Sequence, residues 1–389
     1  MQGLKRSDNS AISAQQPGVR SGLWSCTEAF SSDLQAKLAL SKIPALDGFR
    51  AIAVFLVIFY HFGFLLVPGG TGVTMFFVLS GFLITWLLLK ENEKYGAISL
   101  KAFYRRRILR IFPAFYAYWF GLVFLLIIAG KPVLWSHAIA SFFYLTDYYN
   151  AVFGDPNTGF SHTWSLSIEE QFYLFWPLLF SRFRQDLRKM TIFLVCVIGG
   201  VWLYRFILYG VFDVDQAYFY AAFDTRMDSL MVGCLLAVLL KRGVMMSFWK
   251  TLCSSLFMPL LVLGLLAVSI YCGTVWFHRY RDVVGFAVEP PLIALFLVQL
   301  ISLSSFSAWK WINWPVVRYL GGISYSLYLY QQITLDPVKK ICANMPVLVQ
   351  VIAAVAVTVI VASISYHVIE RPFLKLKDAK PNRFAPQKD

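Results

Sequence analysis

An all-α bundle of membrane-crossing helices is the fold class this sequence predicts, on three observations. Of 389 residues, 58% are hydrophobic and only 14% are charged, which is not the balance of a soluble domain. Apolar stretches approaching the roughly 20 residues that a bilayer requires recur from Leu46 to His367. The positive charge, a net +14, falls between those stretches, where it marks membrane surface and not a nucleic-acid partner.

Residues 1–44 are rich in Ser, Gln and Ala and hold no continuous apolar core. They are neither a cleavable signal peptide nor a span, and they read as a disordered cytoplasmic tail. The Leu34, Leu38 spacing leaves open a short amphipathic surface helix around Phe30 to Leu40. Five candidate spans follow: Leu46 to Leu66, Gly72 to Leu89, Ile111 to Gly130, Leu134 to Tyr149 and Trp164 to Phe180. Six more are Thr191 to Tyr209, Asp224 to Leu240, Leu252 to Cys272, Val283 to Leu303, Tyr319 to Leu335 and Val347 to His367.

Lys and Arg cluster at Lys90 to Arg110, Arg182 to Lys189, Lys241 to Lys250, Lys310 to Arg318 and from Arg371 onward. By the positive-inside bias all five are cytoplasmic. An even number of crossings must then separate Arg110 from Arg182, yet three segments lie between them. Leu134 to Tyr149 is the one that fails to cross, being short and broken by Ser136, His137, Ser141, Thr146 and Asp147; it re-enters or lies along the outer face. The expectation is about ten crossings plus one re-entrant or interfacial segment, with both termini cytoplasmic. The membrane domain runs over 45–372, a basic cytoplasmic tail over 373–389, and no appended soluble domain or internal repeat is expected. Six cysteines without a C-x-x-C pair argue against a zinc site and a disulfide scaffold; only Cys272 and Cys342 lie near span ends that could meet.

Ionisable residues inside spans need a partner or a role. Arg50 and His61 are eleven residues apart, three full helical turns, so one face carries a cation and a base about 16 Å apart. A buried His bonded to a neighbouring helix with a snorkelling Arg is the bland alternative. The loop after Lys90 presents Arg105, Arg106, Arg107 and Arg110, forked donors suited to phosphate but also to anchoring and anionic lipid. In Ser161 to Tyr173, helical spacing puts Ser165, Glu169 and Tyr173 on one face and rotates Glu170 away. Glu169 could orient or polarise His61, or be a carboxylate favoured near a helix N-terminus. Asp224 and Asp228 share a face with Arg226 pointing elsewhere, a cap and local ion pair as much as a substrate contact. Pro68-Gly69-Gly70-Thr71-Gly72 allows close backbone approach at the outer turn but lacks the Lys-Ser/Thr of a phosphate loop.

Taken in order, these segments resemble acyltransferase family 3, integral-membrane enzymes that O-acylate bacterial surface and secreted carbohydrates. The resemblance runs from about Leu46 to Pro372. Its pieces are Leu46-Asp47-Gly48-Phe49-Arg50 with His61, Gly72 to Phe82, the arginine loop, Trp164-Ser165-Leu166-Ser167-Ile168-Glu169, Arg226-Met227-Asp228, Ile323 to Leu329 and Glu370-Arg371-Pro372. It implies a multi-pass protein of the bacterial inner membrane. Acyl-CoA, acetyl-CoA most simply, would be the cytoplasmic co-substrate, with no permanently bound cofactor and no metal. The acceptor would be a carbohydrate or glycolipid on the other side, in contact with membrane lipids.

Carried over, Arg50 and His61 are the essential pair, with Glu169 the third catalytic residue. Arg105, Arg106, Arg107 and Arg110 would hold the donor's phosphates, Arg106, Arg107 and Arg110 foremost, with Ser80 beside them. His162, Trp164, Ser165, Tyr173, Arg226 and Asp228 would meet the acceptor. His61 would act as general base, an acyl-His intermediate being the competing route. Thr74 stands where many relatives have Asp, and Tyr330-Gln331 where many have Trp-His. A proton-coupled transporter or flippase using His61, Glu169 and Asp228 is the rival reading, weakened by the absence of a visible inverted repeat and by an arginine loop it would leave idle. A macrolide or lipid acceptor is a second rival; acyl length and oligomeric state are not encoded in these motifs.

Overall fold

A computed structural model describes residues 26–40, 42–276 and 280–378. Among the described residues every regular element is helical. In order these are α1 (Thr27–Ala39), α2 (Pro44–Phe62), α3 (Gly69–Tyr95), α4 (Leu100–Ile128), α5 (Trp135–Phe142), α6 (Thr146–Phe153), α7 (Trp164–Phe183) and α8 (Leu187–Ile207). Then come α9 (Gln216–Ala221), α10 (Phe223–Arg242), α11 (Met246–Leu252), α12 (Met258–Tyr271), α13 (Phe286–Leu303), α14 (Pro315–Gly322), α15 (Ser324–Ile341), α16 (Val347–Ser365) and α17 (Arg371–Asp378).

Helices stand at all ten positions where crossings were expected, but fewer have the length and apolarity of a span. Among the described residues seven do, built on α2, α3, α4, α8, α12, α13 and α16. An eighth is counted if α9 and α10 are joined to α11 across a 113° bend. The shortfall has a chemical cause in α7 and α15. They carry Ser165, Ser167, Ser326 and Gln331 as buried side chains, polar groups that face protein instead of lipid. The stretch Leu134 to Tyr149 breaks into the eight-residue helices α5 and α6, each about 12 Å long and too short to cross.

Helical structure reaches into both expected tails where they are described. The segment 27–39, expected to be disordered, is α1; Phe30, Leu34 and Leu38, spaced by four, are each fully buried. Trp86 Nε1 donates to the Leu38 carbonyl (3.2 Å) and Gln35 Nε2 to that of Leu240 (3.0 Å), so the amphipathic alternative holds and the helix lies against the bundle. At the other end, α16 runs through the turn Tyr366–Glu370 into α17, so residue 372 is no structural boundary. The rest of both tails, 1–25 and 379–389, lies outside the described residues. All six cysteines are free, Cys272 and Cys342 included.

Close helix packing is bought with glycine. α3 packs most extensively on α10: Gly81 faces the Leu230 carbonyl and Gly233 faces the Val78 carbonyl, each too close for a Cβ. Lipid supplies no hydrophobic drive between helices, so such small-residue contacts hold bundles together by dispersion. Gly321 of α14 meets the Asp47 carbonyl of α2 in the same way, which fixes the helix that carries Arg50 and His61.

Candidate active site

α2, α3, α4, α7 and α15 enclose a cavity. At one end lie the guanidiniums of Arg50, Arg107 and Arg110. α4 starts at Ser99, whose Oγ caps the Ala102 N–H (3.3 Å). The helical period then divides the four loop arginines. Arg107 and Arg110, three apart, turn into the cavity; Arg107 sits over the Tyr173 ring (5.3 Å) and the Phe103 ring (5.6 Å). Arg106 is drawn off to Glu91 (2.7 Å) and Arg105 donates to the Leu376 carbonyl (3.2 Å). Neither lines the cavity. Arg50 is steadied by Asp47, one helical turn away (3.0 Å).

The opposite wall is acidic and hydroxylic. Ser80 Oγ donates to Glu169 (2.6 Å), and the Tyr173 hydroxyl donates to Ser80 (3.1 Å). Glu170, expected to point away, also lines the cavity: the pocket wraps around more of α7 than a single helical face. At the far end Ser165 Oγ and the Tyr328 hydroxyl are 2.6 Å apart, and Tyr328 also donates to the His162 carbonyl (2.8 Å). Ser324, Tyr325 and Tyr328 of α15 line this wall; they lie in the motif Ile323 to Leu329, to which the sequence assigned no site role. The four-residue spacing of Ser324 and Tyr328, which puts both on one helical face, was the available signal.

His61 lies outside the cavity lining, at the last turn of α2. Its Nδ1 is 2.9 Å from the Val57 carbonyl. A carbonyl oxygen only accepts, so Nδ1 carries the proton and the neutral ring keeps its lone pair on Nε2. The carboxylates in electrostatic reach of His61 are Asp155 and Asp336. Glu169, held by Ser80 among the arginines, is therefore not the group that orients His61; its depth along α7 puts it with the cations instead. His162 is also in electrostatic reach of His61. The His162 ring is buried between Tyr118 and Tyr328 (centroids 5.5 Å from each), and neither ring nitrogen has a well-aligned partner.

The remaining expected acceptor residues divide. Trp164 packs tilted against Tyr220 (centroids 4.8 Å apart), whereas Ser165 and Tyr173 line the cavity. Asp228 is separate: it is fully buried in an ion pair with the equally buried Arg205 (2.7 Å), and Trp202 Nε1 also donates to it (3.0 Å). The ion pair is not the local one that the spacing allowed, since its partner comes from α8. Arg226 is buried and donates to Thr74 (2.9 Å).

A profile described as an acyltransferase domain matches residues 43–367, most of the chain. The chain belongs to acyltransferase family 3. Family membership and the apolar helices together make it an integral membrane protein. The relatives it is similar to include the peptidoglycan O-acetyltransferase OatA of Listeria monocytogenes, 34% identical over 362 residues, covering 86% of this chain and 56% of the relative. The putative peptidoglycan O-acetyltransferase YrhL of Bacillus subtilis is 34% identical over 351 residues (85% and 54%). A putative O-acetyltransferase of Staphylococcus aureus is 34% identical over 362 residues (86% and 57%). The chain spans about half the length of the curated relatives it matches. No solved structure matches it.

Proposed function

We propose that this family 3 member moves an acyl group, acetyl most simply, from acyl-CoA on the cytoplasmic side to a hydroxyl of a carbohydrate on the outer side. The observation that carries the reading is the cavity with Arg50, Arg107 and Arg110 at one end and the Ser165–Tyr328 contact at the other. The arginine end belongs to the cytoplasm because Lys and Arg crowd the loop before α4. Its forked donors suit the donor's phosphates, and the thioester arm would extend toward Tyr328 and His162. The relatives' names, O-acetyltransferases of peptidoglycan, favour an acetyl donor and a carbohydrate acceptor.

In the reaction the acceptor hydroxyl gives its proton to His61 Nε2, the lone-pair nitrogen, as its oxygen bonds to the thioester carbonyl carbon. The C–S bond then breaks and the imidazolium returns the proton to the departing thiolate, so the products are the ester and the free thiol. The Val57 carbonyl fixes the tautomer this requires.

Calorimetry of acetyl-CoA with the detergent-purified protein tests the reading. Arg50→Ala and Arg107→Ala should each weaken binding about tenfold or more, as expected for charge-assisted contacts. His61→Ala should bind the donor yet transfer nothing. A wild-type protein that ignores acyl-CoA of every chain length removes the donor assignment.

A further inference from the structure

Beyond the outer end of the cavity lies a second polar cluster that the reaction above leaves unused. α3 begins there at Gly69, α10 at Phe223 and α13 at Phe286, with the turn Arg281–Gly285 leading into α13. Arg226, 1% exposed, places its guanidinium 3.6 Å from the Phe286 ring centroid. One of its nitrogens donates to Thr74, while Nε and Nη1 meet no acceptor. Arg281 shares the same aromatic surfaces, 5.7 Å from the Tyr220 ring and 5.6 Å from that of Phe286.

A buried guanidinium in a membrane protein is costly unless its charge and donors are met. The two carboxylates nearest in the chain are engaged elsewhere, Asp228 by Arg205 and Asp224 by the hydroxyls of Tyr148 and Tyr218. Thr74 offers a neutral oxygen, and the ring faces attract a cation but accept no directed N–H bond. Glu289 is in electrostatic reach of both arginines. One of its oxygens accepts from Thr71 (3.2 Å), and the other has no partner. Asp282 is buried beside Arg281 in the same turn. Two donors of Arg226 are left without an acceptor, near the N-termini of α3 and α10, whose dipoles also favour an anion.

The cluster adjoins the base. A Cβ on Gly70 would run into the Arg281 guanidinium and come within 3.2 Å of the Tyr220 hydroxyl, and one on Gly69 would meet the Tyr60 ring. Tyr60 is 40% exposed, and its ring lies edge-on to His61, centroids 5.5 Å apart. Trp164 covers the other side of Tyr220 (4.8 Å). Glycine at 69 and 70 thus lets the Tyr60 ring and the Arg281 guanidinium pack directly on the start of α3, beside His61.

We propose that Arg226 and Arg281, walled by Tyr220 and Trp164, form a subsite for the carboxylate of an anionic saccharide, the acceptor of the transfer. The subsite as an acceptor site rests on the transferase reading; its affinity for a carboxylate does not. The aromatic rings wall the subsite, and the arginines read the sugar's charge.

The test is binding, by microscale thermophoresis on the full chain in nanodiscs, of a muramic-acid disaccharide and of its neutral methyl ester. Wild type should bind the acid about tenfold or more tightly than the ester, as one charge-assisted contact implies. Arg281→Gln should bring the ratio toward one. So should Thr74→Asp, which sets a carboxylate against Arg226, whereas the uncharged Thr74→Asn should retain the preference and so serves as the folding control. Equal binding of acid and ester by wild type, or a preference that survives both Arg281→Gln and Thr74→Asp, overturns the subsite. Acetyl transfer on the same samples separates the two ideas. Discrimination without transfer sinks the transferase reading alone, and transfer with no discrimination sinks the subsite alone.

Discussion

Asp228 offers the sharpest division between a residue that binds substrate and one that holds the bundle together. In the structure both it and Arg205 are fully buried, 2.7 Å apart, and Arg205 has one other acceptor, the Thr225 carbonyl (2.6 Å). Asp228→Ala leaves that guanidinium without its counter-ion, a loss of about 3–5 kcal/mol. It also strands the Trp202 indole N–H, whose bond to Asp228 is 3.0 Å, for about 1–3 kcal/mol more. Against a total stability of about 5–15 kcal/mol the single variant should lose most of its folded population. Thermal recovery on size-exclusion chromatography in detergent should show the loss. Replacing both charges, Arg205→Met with Asp228→Leu, should recover most of the stability, because a pair removed together leaves no unmatched charge. An Asp228→Ala protein that melts like wild type but fails to transfer acyl groups would refute the structural role and return Asp228 to the acceptor site.

Three further outcomes follow from the geometry. Gly233→Ala and Gly81→Ala should each lower thermal stability by about 1–3 kcal/mol or more, because a Cβ meets a backbone carbonyl of the facing helix. Gly199→Ala, with open space at its Cβ, should melt like wild type. In acetyl-CoA titrations, Arg105→Ala should change affinity less than twofold whereas Arg107→Ala weakens it about tenfold or more; equal losses would mean the donor lies outside the cavity. Tyr328→Phe breaks the bonds to Ser165 and the His162 carbonyl, about 1 kcal/mol each. Turnover should fall while acetyl-CoA affinity, measured by calorimetry, holds.

Much of this architecture can be read from apolar run lengths, which located the long helices because lipid demands a continuous hydrophobic surface. The same rule overcounted where a helix is sheltered by protein: α7 and α15 keep their positions but spend their interior faces on Ser, Glu and Gln. α1 was half-visible because three buried residues in a polar stretch give a weak signal until the surface they cover is known. Within the site, the three-residue spacing of Arg107 and Arg110 was legible, and the diversion of Arg106 was not, since Glu91 approaches from another helix. Arg205 and Asp228 are 23 residues apart on α8 and α10, a relation no helical period contains. Glu169 and His61 were paired on chemistry alone. Helical phase gives the direction of a side chain around its axis and says little about depth relative to a neighbouring helix.

The Tyr328 hydroxyl, bridging Ser165 and the His162 carbonyl, has an electrical consequence for the proposed reaction. A route that hands a group from one face of a membrane to the other is also a route for ions, and each elementary charge crossing it exchanges about 2.3 kcal/mol with every 100 mV of membrane potential. An acyl group is neutral. If the phosphates stay with Arg50, Arg107 and Arg110 while the acyl carbon alone passes Tyr328, the transfer moves no net charge through the field, and its rate should be insensitive to the energised state of the membrane.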